Sequence, residues 1–252
     1  MDSAAKLITA LASLLWPILI GGFLFHLRNE VKAALAQLPK MVGRMKSAKF
    51  AGIEFELEML ASSDSSEDLK GQITTNQINV ASKLEVEAKD EGIGPFLSEL
   101  DRLCLEYDHL RSTWIAGAAR THEQTRILVK MRGLASATSP RIETYKSSGS
   151  TGSRLAAVAM MQMKPKLGDI GWLLERFRTD VPFVFYHAAL ALANIANNPE
   201  RRESAVAAAQ KARQILLAFS GKPDRDSMIV LDSIVGPEEV SEQRRQPPKA
   251  RK

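Results

Sequence analysis

Side chains able to do chemistry are few in this chain of 252 residues. Four histidines, His26, His109, His122 and His187, stand far apart, and the single cysteine is Cys104. None of the histidines makes a His-Glu-x-x-His pair, and one thiol cannot build a zinc knuckle. A Gly-x-Gly-x-x-Gly turn is absent, as is a phosphate loop ending in Gly-Lys-Ser/Thr. Cys104 and His109 are five residues apart, which misses the i,i+4 spacing of one helical face. Cys104 therefore reads as a core thiol. His187, inside PFVFYHAALAL, reads as a core histidine. On these residues an enzyme is not expected, nor a cofactor or a metal.

The cations are more suggestive. Arg111, Arg120, Arg126, Lys130 and Arg132 crowd one stretch. Together Arg111, Arg120, Arg126 and Arg132 can line a pocket for an anionic ligand such as a nucleotide, because guanidinium groups bind phosphates in a bidentate fork. The plainer alternative is a solvated helix face. Nucleic acid is not expected as a partner, since base-stacking aromatics do not interleave with these charges.

The elements that must position these residues are helical. Phe96, Leu100, Leu103, Tyr107, Leu110 and Trp114 step by four and three residues, which predicts one apolar stripe along a helix. A second helix is predicted over about 119–135, burying Ile127, Leu128, Met131 and Leu134 and exposing Arg120, Arg126, Lys130 and Arg132. SSGSTGS, 147–153, reads as a loop that caps the next helix or offers backbone N–H groups to an anion. Residues 154–219 read as four short helices in two pairs, opened or closed by Pro165, Pro182 and Gly221. Their small alanines permit close approach, and the pattern resembles HEAT-like helical pairs.

Upstream, LITALASLLWPILIGGFLFHL at 7–27 carries no charged residue. As a helix it would extend roughly 31 Å, close to the ~30 Å hydrocarbon core of a bilayer. This predicts a transmembrane helix. The basic residues that follow, Arg28, Lys32, Lys40, Arg44, Lys46 and Lys49, predict a single-pass protein of the inner membrane with its N-terminus outside and its body cytoplasmic. They can also touch anionic lipid. Within a basic stem and strand segment, 28–60, FAGIEFELEM alternates strictly. Ile53, Phe55, Leu57 and Met59 then share one face of a half-buried β-strand. With no partner strand in sight, that strand points to assembly with a partner chain or a homo-oligomer, unless the stretch is helical. Residues 61–93 begin polar and Ser-rich and read as a linker. A helical cytoplasmic domain follows at 94–220, and a basic tail at 237–252 is expected to be disordered. The fold class predicted is mainly α, with a transmembrane helix, a short strand and an all-α body.

The stretch YDHLRSTWIAGAARTHEQTRILVKMRGLA, 107–135, resembles a helical module of bacterial modular signalling and conflict (defence-type) proteins. The residues that carry the resemblance are Tyr107, Leu110, Arg111, Gly117, Arg120, Thr121, Met131 and Arg132, with PFVFYHAALAL further on. It covers 94–219 at most and brings no catalytic role with it. No arginine stands four to six residues before a histidine at a helix end, as similarity to helical ribonucleases would require. The resemblance implies a membrane-anchored, non-enzymatic interaction or adaptor protein of bacterial signalling or defence. The alternative is a membrane-disrupting effector switched on by a ligand or partner on the helical body.

Overall fold

The computed structural model describes residues 51–64, 71–219 and 224–236. Every regular element among them is a helix: α1 (51–64), α2 (Thr75–Glu91), α3 (Gly94–Thr113), α4 (Ala118–Thr138), α5 (Ile142–Lys146), α6 (Thr151–Met163), α7 (Ile170–Thr179), α8 (Pro182–Ala196), α9 (Pro199–Leu217) and α10 (Arg225–Val235). From Ile53 onward they form one compact unit.

The ends of these helices are written locally. Thr74, Ser150, Asp169, Asn198 and Asp224 each accept a first-turn backbone N–H at a helix start. Such side-chain caps are worth about 1 kcal/mol each. Pro95, Pro182 and Pro199 occupy first-turn positions, where a missing N–H costs nothing.

Three helices make the centre. α4 packs against α2, α3 and α6; α6 packs against α3, α4, α5 and α8; α8 packs against α6, α7, α9 and α10. The alanine-rich run from Leu155 to Gln162 is buried throughout, so α6 can approach its neighbours closely. Closest of all is Gly152. A Cβ there would lie 2.8 Å from the backbone carbonyl carbon of Cys104, so α6 starts backbone-to-backbone on α3.

The alternating stretch 53–59 is helical, and no strand occurs among the described residues. Ile53 and Leu57 are buried with Leu60, Ala61 and Asp64, while Phe55 and Met59 point outward at 66% and 58% exposure. The buried positions recur at i, i+4, i+7, i+8 and i+11, which is a helical stripe. The same alternation also fits a strand over seven residues, but it fails to continue through Leu60 and Ala61.

Among the described residues no helix is long and apolar enough to cross a membrane. α8, the most apolar, has 15 residues. At 1.5 Å per residue that is roughly 22 Å, short of the ~30 Å a span needs. α4 has 21 residues but carries Arg120, Glu123, Arg126, Lys130 and Arg132. The segment 7–27, the stem up to residue 50 and the tail 237–252 lie outside the described residues. The single-pass inner-membrane protein is therefore not supported. The lipid contact and the membrane-disrupting role rest on that outside segment, and nothing among the described residues bears on them. The segment read as a linker, 61–93, contains the end of α1 and all of α2.

Candidate functional site

α4 runs through the middle of the unit, and every residue from Ile127 to Thr138 is buried. That burial includes Arg132, which is only 1% exposed. Its guanidinium makes four hydrogen bonds. Nε donates to Gln162 Oε1 at 2.9 Å, and Nη2 donates to the Gly71 carbonyl at 2.8 Å. Nη1 donates to Gln77 Oε1 at 3.3 Å and to the Gln72 carbonyl at 3.4 Å. All four acceptors are neutral. Among the described residues no carboxylate pairs with Arg132, and burial pushes the guanidinium down to about 10. A buried arginine is ordinarily paired.

Beside Arg132 lies a cavity of about 280 Å³, lined by Arg132, Gln162, Asn194, Leu190 and the turn 71–73. Gln162 is fixed in place: its amide nitrogen donates to the His187 carbonyl at 2.8 Å, and its own carbonyl accepts from Asn194 Nδ2 at 3.4 Å. The turn is brought in by Gly71, whose φ of +73° favours glycine. A Cβ at Gly71 would also meet Leu190 Cδ1 at 2.9 Å and the rings of Tyr186 and His187 at 3.2 Å. The turn therefore lies flat on α8, which is what lets the Gly71 carbonyl reach Arg132.

His187 sits behind this site, packed edge-on against Phe183 and Tyr186. Burial, with Arg132 near by, holds its imidazole well below the usual histidine range, so it is neutral at physiological pH. Among the described residues no carboxylate and no nucleophile lines the cavity. The lining presents a guanidinium and carboxamides, an arrangement that can hold a ligand. Cys104 is buried, and its thiol is pushed up to about 12. Among the described residues no three His, Cys, Asp or Glu side chains come together as a metal site.

The four arginines read from the sequence do not converge. Arg120, Arg126 and Arg132 follow one another by six residues on a single helix. Each step turns about 240°, so the three point to three different sides. Arg126 pairs with Glu58 and lies 3.3 Å from Glu123; Lys130, buried rather than exposed, pairs with the same Glu58 at 2.5 Å. These contacts clamp α1 onto α4. Arg111 stands half-exposed in the last turn of α3, next to Tyr107. Only Arg132 faces the cavity. The loop at 147–153 does cap the next helix, and its anion is internal: Asp108 accepts from Ser150 Oγ at 2.6 Å and from the Gly152 N–H at 2.8 Å.

Arg120 has another task. Its Nη1 donates to the Trp114 carbonyl at 3.1 Å across the corner between α3 and α4. Ser112 and Thr113 both donate to the His109 carbonyl, closing the end of α3. Trp114, placed on the apolar stripe by its spacing, falls just beyond the helix and is 46% exposed. Ile115 beside it is 92% exposed. Two large apolar side chains thus project from a braced corner.

Sequence reasoning missed Gln77, Gln162, Asn194 and the turn at Gly71. One signal was available: Gln162 is the lone carboxamide in the apolar run AAVAMMQM.

The chain matches no protein-family model, no curated protein and no solved structure.

Proposed function

We propose that the protein is a non-enzymatic helical interaction module, an adaptor that docks a protein partner in bacterial signalling or defence. The observation that carries this reading is the α3–α4 corner, where Ile115 is 92% exposed beside Trp114. Scattered surface leucines and isoleucines are ordinary in folded proteins. An indole and a β-branched side chain presented together on a braced turn are less so, and buried aromatic anchors dominate interface energetics. The resemblance of 107–135 to helical modules of signalling and conflict proteins supports the same reading, since the corner lies inside it.

The test is complex formation in cells where the chain is native. Tagged wild-type protein is expected to elute on gel filtration well above the monomer position. The double variant Trp114→Ser, Ile115→Ser is expected to elute as the monomer with an unchanged circular dichroism spectrum. Equal elution of the two rejects the corner as the docking site.

A further inference from the structure

The cavity at Arg132 has no part in the docking corner, and it calls for its own account. We propose that it is a binding site for the oxyanion end of a small ligand, a carboxylate or a phosphate monoester, with Arg132 as the charged anchor.

Arg132 is buried, its described acceptors are all neutral, and among the described residues no carboxylate partners it. Fastening the Gly71 and Gln72 carbonyls requires N–H groups but no positive charge. A neutral amide would do that without the cost of desolvating a cation. A structural clip alone therefore leaves the charge unexplained, whereas an arriving anion neutralises it.

A guanidinium has five N–H groups. Four bonds are made, and one N–H on Nη2 keeps no acceptor among the described residues. Asn194 uses Nδ2 on the Gln162 carbonyl, and that nitrogen carries a second hydrogen. Both residues line the cavity, so a donor pair is available to one oxyanion.

Among the described residues no acidic side chain lines the cavity to repel an anion, and neutral His187 behind it adds no second charge. Its volume of about 280 Å³ is at the lower edge of ligand pockets, which run from about 300 to 1,000 Å³. The ligand is small, with one anionic end.

The test uses the full chain and isothermal titration with inorganic phosphate and, separately, acetate, in chloride buffer of constant ionic strength. Saturable one-to-one binding of at least one of the two is expected. Tighter phosphate binding assigns a phosphate monoester as the class, and tighter acetate binding a carboxylate. Gln77→Glu adds a carboxylate against the guanidinium from outside the cavity and is expected to weaken binding by at least about tenfold. Asn194→Asp does the same from the half-buried rim, should the first variant fail to fold. Absence of saturable binding by the wild type overturns the proposal, as does unchanged affinity in whichever variant folds.

Discussion

Arg132 Nη1 donates to Gln77 Oε1 across 3.3 Å, while the amide nitrogen of the same Gln77 side chain, fully buried, has no hydrogen-bond partner among the described residues. One end of this carboxamide serves a buried cation, and the other meets no described acceptor. A carboxylate of the same shape would supply the missing charge and remove the orphaned donor.

Gln77→Glu is therefore expected to stabilise the free protein. A hydrogen bond to a charged group contributes about 1.5–3 kcal/mol, offset in part by desolvation of the new carboxylate. A net gain of about 1 kcal/mol raises Tm by roughly 2–4 °C in a domain of this size. Calorimetric melting of wild type and variant in chloride buffer measures it.

The helical reading of 51–64 separates neighbours that a strand would place together. Leu57→Ala removes a fully buried side chain and is expected to cost about 2–5 kcal/mol. Phe55→Ala, at an exposed position, is expected to stay within about 0.5 kcal/mol. Chemical denaturation of both variants checks the contrast. Equal large losses would return the two side chains to one buried face.

Gly152→Ala places a methyl group against the Cys104 backbone rather than against a movable side chain. Relief requires α6 to shift away from α3. A loss of about 1–3 kcal/mol, the ordinary cost of overpacking, is expected. Denaturant midpoints measure it.

Acid should loosen the clamp between α1 and α4. The hydrogen bond from Lys130, above all, and the charge of Arg126 hold the Glu58 carboxyl below its usual value. A carboxylate with a lowered folded-state value contributes stability in full above its unfolded value, about 4.3. That contribution is lost as pH falls through the lowered value. Wild type is expected to melt higher than Glu58→Gln at pH 7, and the difference is expected to vanish in acid. Melting temperatures of the pair across pH 2–7 test this.

Much of the helical body was legible from residue spacing. Phe96, Leu100, Leu103, Tyr107 and Leu110 repeat every three or four residues, and all are buried on α3. α2 was hidden because only Gln77, Ala81 and Leu84 are buried along it. Its contact face is too narrow to stand out against the polar residues around it. The stretch 53–59 misled because Ile-Glu-Phe-Glu-Leu-Glu-Met satisfies period two, and the helical period emerges only when Leu60 and Ala61 are included. Arg132 was legible as a residue able to bind an anion, but not as a buried one. A charge usually marks the outside of a helix, and here tertiary packing of α2, α3 and α6 around α4 decided otherwise. Its companions come from α6, α8 and a turn sixty residues upstream, which no local spacing connects.

The central claim is that the α3–α4 corner docks a protein, and the most direct measurement places a photo-crosslinking amino acid at position 115 in cells where the chain is native. Illumination is expected to yield one discrete adduct, identified by mass spectrometry. The same label at exposed Arg178 on α7 is expected to yield none. An absence of adduct at 115, or an identical pattern from both positions, would contradict the account.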